Sequence, residues 1–223
     1  MANDYFQFKQ FTVHQALCAM KVGTDGTLLG AWARGGRHIL DVGTGTGLIA
    51  LMMAQRFPDA RIVGIDIEKG AVQQAQMNVQ ESPFAERIVI EECDYALAQG
   101  FYDAIICNPP FFVDSLTSPD RQRTMARHNV SLPFSTLMKH SYELLDESGE
   151  LSVIIPAEGK SDLESEAYLC GFSKCRECGV RTKETKPVRR YLLSFKKHPC
   201  TLERDEIVIG SEWYRELTQN FYI

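Results

Sequence analysis

Four consecutive residues, Asn108-Pro109-Pro110-Phe111, follow the apolar run 104–107 and could bind a planar amine. The exocyclic nitrogen of a nucleobase is a poor nucleophile, because its lone pair is delocalised into the ring. The side-chain carbonyl of Asn108 and the main-chain carbonyl of Pro109 could each accept one N–H bond and turn that lone pair towards an electrophile. Phe111 could stack on the base and fix its plane. The alternative is a strand that simply ends in a Pro-Pro turn, because Asn-Pro is also an ordinary turn dipeptide.

The elements that must position these four residues are strands that alternate with helices. We predict strands at 38–42, 60–67, 87–91, 104–107, 149–156, 172–180 and 190–196, and helices at 27–34, 48–57, 69–79, 133–145 and 163–170. Such alternation indicates βαβ units and a parallel sheet. Ligands of open α/β sheets bind outside the carboxyl ends of the strands, which is where Asn108 falls.

A glycine-rich turn follows the first of these strands, with Asp41 before it and glycines at Gly43, Gly45 and Gly47. A dinucleotide fold would need its third glycine at position 48, which is Leu48 here, so the nicotinamide interpretation is weakened. Glycines in this pattern let the backbone approach a small zwitterion closely, and Asp41 can then lie near its amino group.

Three further acids could complete a nucleoside site. Asp66 ends the second strand, where it could accept both hydroxyls of a ribose. Asp94 ends the third strand and could accept a hydrogen bond from an adenine amine, although an ordinary exposed loop aspartate would look the same. Thr24 and Asp25 either cap the helix that we expect from position 27 or belong to a turn that covers a bound cofactor.

Taken together, these residues resemble the class I S-adenosylmethionine-dependent methyltransferases, and the resemblance covers Leu40 to about Pro156. The motifs occur in the family's order and spacing: Asp-x-Gly-x-Gly-x-Gly, the acid of the second strand, Asp94 and Asn-Pro-Pro-Phe. The resemblance implies a Rossmann-like α/β fold, with a seven-stranded, mostly parallel sheet flanked by helices. It also implies S-adenosylmethionine at the carboxyl edge and an amine nitrogen gripped by Asn-Pro-Pro.

Nearly the whole chain is similar to a narrower family, the bacterial tRNA1(Val) adenine-37 N6-methyltransferases. The similarity rests on the segments 6–13 and 20–32, on Phe111 and on the terminal Phe221-Tyr222. It implies methyl transfer to the exocyclic N6 of an adenosine beside the anticodon, with tRNA as the partner. Asn-Pro-Pro also serves enzymes that methylate guanine N2 of ribosomal RNA or the glutamine amide of release factors. From a different class, a cofactor-binding module that contacts RNA without methylating it stays open.

Composition limits the remaining possibilities. The 223 residues fit a single domain, 1–223, whose segment 1–34 would cap the core. The number of cysteines, seven, is odd, so they cannot all pair in disulfides, which suggests reduced thiols in the cytoplasm. We expect no membrane span and a monomer. Cys170, Cys175 and Cys178 could bind zinc with His198 or Cys200, but we expect no metal because Cys-x-x-Cys on a strand points to opposite faces.

The net charge of −5 requires that any nucleic-acid contact come from a local basic patch. One candidate is the loop after Phe111, and the other is the connector 181–189 with the strands on either side. The loop carries Arg121, Arg123, Arg127 and His128, and the connector region carries Arg176, Arg181, Lys183, Lys186, Arg189, Arg190, Lys196 and Lys197. A solvated charged loop is the alternative for the first.

Overall fold

Two sheets form the framework of the computed structural model, which describes residues 4–18, 20–110 and 132–223. The predicted stacking residue Phe111 and the basic loop Arg121, Arg123, Arg127 and His128 lie outside the described residues. The strands in chain order are β1 (Tyr5–Gln7), β2 (Thr12–His14), β3 (His38–Val42), β4 (Arg61–Asp66), β5 (Ile88–Glu92), β6 (Tyr102–Cys107), β7 (Leu145–Pro156), β8 (Ser173–Arg181), β9 (Arg190–Lys196) and β10 (Glu203–Val208).

The main sheet has the order β10-β8-β9-β7-β6-β3-β4-β5, while β1 and β2 pair as a separate hairpin. Among its described strands only β9 is antiparallel to its neighbours. The predicted, mostly parallel α/β sheet is therefore confirmed, but it has eight strands rather than seven. The extra strand is β10, which joins the edge of the sheet parallel to β8.

The strand order reverses between β3 and β6. From β3 the chain builds outwards through β4 to β5, and it then returns to place β6 on the other side of β3. The carboxyl ends of β3 and β6 are in register, with Val42 opposite Cys107. Such a switch point leaves a crevice beyond the strand ends, because the two following loops diverge there.

Helices cover both faces of the sheet. They are α1 (Thr24–Trp32), α2 (Leu48–Arg56), α3 (Lys69–Gln80), α4 (Phe134–Leu144), α5 (Lys160–Leu169) and α6 (Glu212–Thr218). Alternate residues of a strand point to opposite faces. Accordingly Ile39 and Ile106 pack in the core beneath α1, α2 and α3, whereas Leu40 and Ile105 pack beneath α4 and α5. Burial on both faces explains the continuous apolar runs of these strands.

Helix α1 begins three residues earlier than predicted. Gly23 is its N-cap residue and makes no side-chain hydrogen bond, while Thr24 and Asp25 belong to the first turn. The expectation that Thr24 and Asp25 cap a helix from position 27 is therefore wrong. Asp25 instead accepts a hydrogen bond from the Nε of Arg190 at 2.8 Å, a partner 165 residues away in the chain.

The two ends of the chain pack against each other. Phe8 and Phe221 are both buried in the core cluster that includes α1 and α2. The Lys9 backbone N–H donates to the carbonyl of Phe221 at 2.8 Å. Within the described ranges, no helix combines the length and apolar character needed to cross a bilayer. The single-domain boundary 1–223 stays a prediction.

Candidate active site

A cavity of about 600 Å³ opens at the carboxyl ends of β3, β4 and β6. The predicted site residues that line it are Gly43, Gly45, Asp66, Asp94, Asn108 and Pro110. Residues distant in sequence meet there because parallel strands end at one edge of the sheet. Thr24, Asp25, Asp41, Gly47 and Pro109 are not among the lining residues.

The glycine-rich turn between β3 and α2 has a backbone that other residues rarely adopt. Gly43, Gly45 and Gly47 have φ values of 67°, 56° and 80°. A Cβ atom added to Gly43 would have no non-neighbouring atom within 4 Å, so this part of the turn leaves open space beside the cavity. At Gly47 a Cβ atom would lie 3.3 Å from that of Ala75 on α3. The glycines therefore leave space beside the cavity and let α3 pack closely against the turn.

Asp41 is fully buried and supports the glycine-rich turn from beneath. One carboxylate oxygen, Oδ2, accepts bonds from the Thr44 hydroxyl at 2.7 Å and the Ala50 N–H at 3.1 Å. The other, Oδ1, has no hydrogen-bond partner among the described residues. An unpaired buried carboxylate oxygen suits a cationic ligand nearby. Its contact with the amino group of a cofactor stays a prediction.

Burial raises the pKa of Asp41 from 3.8 to about 7, with a smaller opposing effect of the Thr44 and Ala50 hydrogen bonds. The folded protein therefore binds a proton that the unfolded chain has lost. We expect the free energy of unfolding of the cofactor-free protein to fall as the pH rises from about 4 to 7, relative to an Asp41→Asn variant. Urea denaturation of both proteins across this range measures the difference; parallel curves would contradict it.

Asp66 ends β4 and lines the cavity. Its Oδ2 accepts the Gly45 N–H at 2.9 Å and its Oδ1 accepts the Glu68 N–H at 3.0 Å. Each carboxylate oxygen keeps a free lone pair, so Asp66 can still accept hydroxyl groups. Glu68 and Ile67 also line the cavity, and both are exposed. Sequence analysis missed these two, although their position directly after the acid of the second strand was a usable signal.

Asp94 follows β5, the strand next to β4, and caps a short 3₁₀ turn, with its Oδ1 accepting the Ala96 N–H at 3.0 Å. It is exposed and lines the cavity, and its hydrogen bond to an adenine amine stays a prediction. Tyr95 also lines the cavity, and its hydroxyl is 2.7 Å from that of Ser141 on α4. This bond links the cavity wall at Tyr95 to α4.

Two cysteines of the cavity wall have thiols with a raised pKa. Burial raises the pKa of the Cys107 thiol well above its usual value, and burial with the nearby Glu91 and Asp94 raises that of Cys93. The thiolate is the nucleophilic form of cysteine. The raised pKa favours the thiol form of both residues.

Asn108 follows β6 directly and is half-buried on the cavity wall. Within the described residues, neither its side chain nor the Pro109 carbonyl takes part in a hydrogen bond. A Cβ atom on Gly26 would lie 4.0 Å from the Asn108 Nδ2, so the first turn of α1 lies against this side chain. Two unused carbonyl acceptors thus follow β6 at the switch point. Their role stays a prediction, as does that of Pro110.

Thr24 and Asp25 lie on that same first turn of α1. Thr24 is exposed, and Asp25 is committed to Arg190. Their contact with a cofactor also stays a prediction.

The predicted basic cluster around β8 and β9 is divided between several environments. Arg176 is largely buried, with its guanidinium 3.8 Å from the centroid of the Trp32 ring. Lys196 and Lys197 lie at the far end of β9, away from the cavity edge. Arg181 at the end of β8, the connector 182–189 and Arg190 are the parts of the predicted cluster that lie at the carboxyl edge. Among the described residues, no group of three or more histidine, cysteine or acidic side chains is placed as metal ligands would be.

The sheet order, the glycine-rich turn and the acids and asparagine around one cavity define a class I methyltransferase. Solved structures support this fold. A predicted O-methyltransferase from Agrobacterium tumefaciens matches with a TM-score of 0.70 at 17% identity, covering 88% of this chain and 96% of that one. Magnesium protoporphyrin IX methyltransferase from Synechocystis, with bound SAM, matches with a TM-score of 0.52 at 22% identity, covering 74% and 71%.

The sequence comparisons are more specific. The profile of the Methyltransferase small domain family matches residues 26–163. The tRNA1(Val) (adenine(37)-N6)-methyltransferase of Bacteroides thetaiotaomicron is 44% identical over 100% of this chain and 99% of its own length. The chain belongs to this tRNA1(Val) (adenine(37)-N6)-methyltransferase family. The predicted fold class, family and methyl donor, S-adenosylmethionine, are thereby confirmed.

Proposed function

We propose that the protein transfers a methyl group from S-adenosylmethionine to the exocyclic N6 of adenosine 37 in tRNA1(Val). The observation that carries the proposal is a pair of unused carbonyl acceptors, one on Asn108, which lines the cavity beyond β6, and one on Pro109, the next residue. Two acceptors match the two N–H groups of an exocyclic amine. The curated relatives named for this reaction align with the chain over its full length.

The residues of the cavity fit the cofactor. Open space beside Gly43 and the free lone pairs of Asp66 would accommodate the amino-acid and ribose parts of S-adenosylmethionine, and the buried, unpaired Oδ1 of Asp41 lies beneath the same glycine-rich turn. When bound, this group supplies a methyl that is already activated as a sulfonium. The protein therefore needs no strong base, and its own contribution is to position the amine.

The chain's residues perform that positioning. Asn108 and Pro109 accept the two N–H bonds of the adenine amine and orient its lone pair towards the cavity. The first turn of α1 lies near the Asn108 side chain, since a Cβ atom added to Gly26 would be 4.0 Å from its Nδ2. An anticodon-loop base is largely single-stranded, so it is splayed out more easily than a base of a duplex. The proton of the amine is released to water after transfer.

We also propose that the protein works as a monomer, without a metal ion, in the cytoplasm, where tRNA is modified. Sedimentation of the protein alone and activity in the presence of a chelator test the first two points. A dimer, or activity lost to chelation and restored by a metal, would contradict them.

The function is tested by incubation with radiolabelled S-adenosylmethionine and unmodified total tRNA, followed by nuclease digestion and nucleoside chromatography. We expect the label in N6-methyladenosine and, after mapping, at position 37. Label in another nucleoside would mean that the protein methylates a different base of RNA. Label in added release factor but not in RNA would replace the proposal with glutamine methylation.

A further inference from the structure

Charge divides the carboxyl edge of the main sheet into two halves, with Asn108 between them. The cavity half presents the acids Asp66, Glu68 and Asp94. On the other half is the β8–β9 connector, residues 182–189, whose cations are Lys183, Lys186 and Arg189. A polyanion is repelled by the first half and attracted by the second.

The cations of the connector are available for an external partner. All three are exposed, and within the described residues their side chains take part in no ion pair or hydrogen bond. The arginines on either side differ, since Arg181 pairs with Glu206 and Arg190 with Asp25. One acid, Glu184, lies in the same segment, so the connector keeps a positive balance on a chain whose net charge is −5.

The backbone of the connector is held in place at both ends. The Lys186 N–H donates to the Lys183 carbonyl at 3.0 Å, and the Arg189 N–H to the Val180 carbonyl at 2.9 Å. The Arg189 carbonyl accepts from Ala157 at 3.1 Å, which ties the segment to the residue after β7. A surface ordered in advance loses less conformational entropy when a ligand binds.

The connector is also close to the site that would bind the base. Arg190 lies opposite Pro156 of β7, which neighbours β6, so the connector ends two strands from Asn108. Neighbouring strands are spaced such that this separation is about 10 Å across the sheet. The Asp25–Arg190 ion pair links the end of the connector to the first turn of α1, where a Cβ atom added to Gly26 would lie 4.0 Å from the Asn108 Nδ2.

We infer that the β8–β9 connector binds the phosphate backbone of the tRNA next to the target adenosine. The tRNA then approaches from the β8–β9 side, and the acid-lined half of the edge is left to the cofactor. Backbone contacts of this kind set position and affinity, while Asn108 and Pro109 select the amine. This inference rests on the proposed function, and it adds the side from which the substrate enters.

The test compares the wild type with K186Q/R189Q and with a matched control, R37Q/R61Q. Arg37 and Arg61 are exposed at the amino edge of the sheet, and each variant removes two positive charges. Affinity for unmodified tRNA is measured over a range of salt concentrations. We expect K186Q/R189Q to lower the slope of log Kd against log salt by about 1.4 to 1.8, and R37Q/R61Q to leave it unchanged. The KM for tRNA should rise in the connector variant more than roughly tenfold at low salt, with kcat nearly unchanged.

Binding of S-adenosylhomocysteine by each variant shows that the fold and the cavity are intact. An unchanged slope in K186Q/R189Q would overturn the inference, and so would a decrease of the slope in R37Q/R61Q equal to that in K186Q/R189Q. In either case the proposed function would stand as long as the wild type methylates tRNA. A wild type that neither binds nor methylates tRNA would overturn the proposed function, and the inference with it.

Discussion

Replacement of Asn108 by alanine is expected to lower kcat for methyl transfer to tRNA by at least roughly 100-fold, because one of the two acceptors of the amine is lost. Binding of S-adenosylhomocysteine should be nearly unchanged, since no hydrogen bond within the described residues depends on this side chain. Single-turnover transfer of radiolabelled methyl groups measures the first quantity, and calorimetry measures the second.

An Asn220→Ala variant is the matched control. Asn220 is exposed, and within the described residues its side chain makes no hydrogen bond, while its backbone carbonyl accepts one from Gln55. The same change of residue type there should leave kcat and cofactor affinity unaltered. Loss of cofactor binding together with activity in Asn108→Ala would refute the assigned role, because that result would place Asn108 in the cofactor site.

Replacement of Asp66 by alanine should have the opposite pattern and weaken cofactor binding by roughly 100-fold or more. The carboxylate both holds the glycine-rich turn, through the Gly45 N–H, and faces the cavity where a ribose would bind. Its removal therefore disturbs the glycine-rich turn and deletes the acceptor of the ribose hydroxyls. The shift in melting temperature caused by S-adenosylhomocysteine, measured over a range of ligand concentrations, reports the affinity.

Glu68 provides a sharp comparison for Asp66. It lines the same cavity two residues later, but its side chain has no partner among the described residues. Glu68→Ala should therefore weaken cofactor binding much less than Asp66→Ala. If Glu68→Ala proved the more damaging of the two, the ribose would have to be assigned to Glu68 instead.

Sequence reasoning predicted the local elements of this fold well. The strand expected at 190–196 is β9, and the helix expected at 69–79 is α3, which extends one residue further. These segments carry strong periodic or continuous apolar patterns bounded by turn residues, so local information suffices. The glycine-rich turn was also readable, because three residues with positive φ in one short loop require glycine.

What could not be predicted depends on residues far apart in the chain. The start of α1 was misplaced because Thr24 and Asp25 have the residue types of a cap, while the real partner of Asp25 is Arg190. The role of Asp41 was incomplete for the same reason, since its burial beneath Thr44 and Ala50 follows from the packing of α2 on the sheet. Pairings of this kind are set by topology, and a single sequence does not display them.

The position of β9 between β7 and β8 has a consequence for how the protein is made. Among the strands that the structure describes, β8 pairs only with β9 and β10, both of which are translated after it. A nascent chain that ends before residue 190 can therefore pair β3 to β7, but its β8 has no neighbouring strand. The Asp25–Arg190 ion pair is also impossible at that stage. The strands of the cavity half can thus pair before residue 190 is translated, whereas the half that would receive tRNA forms only after β9 has been made.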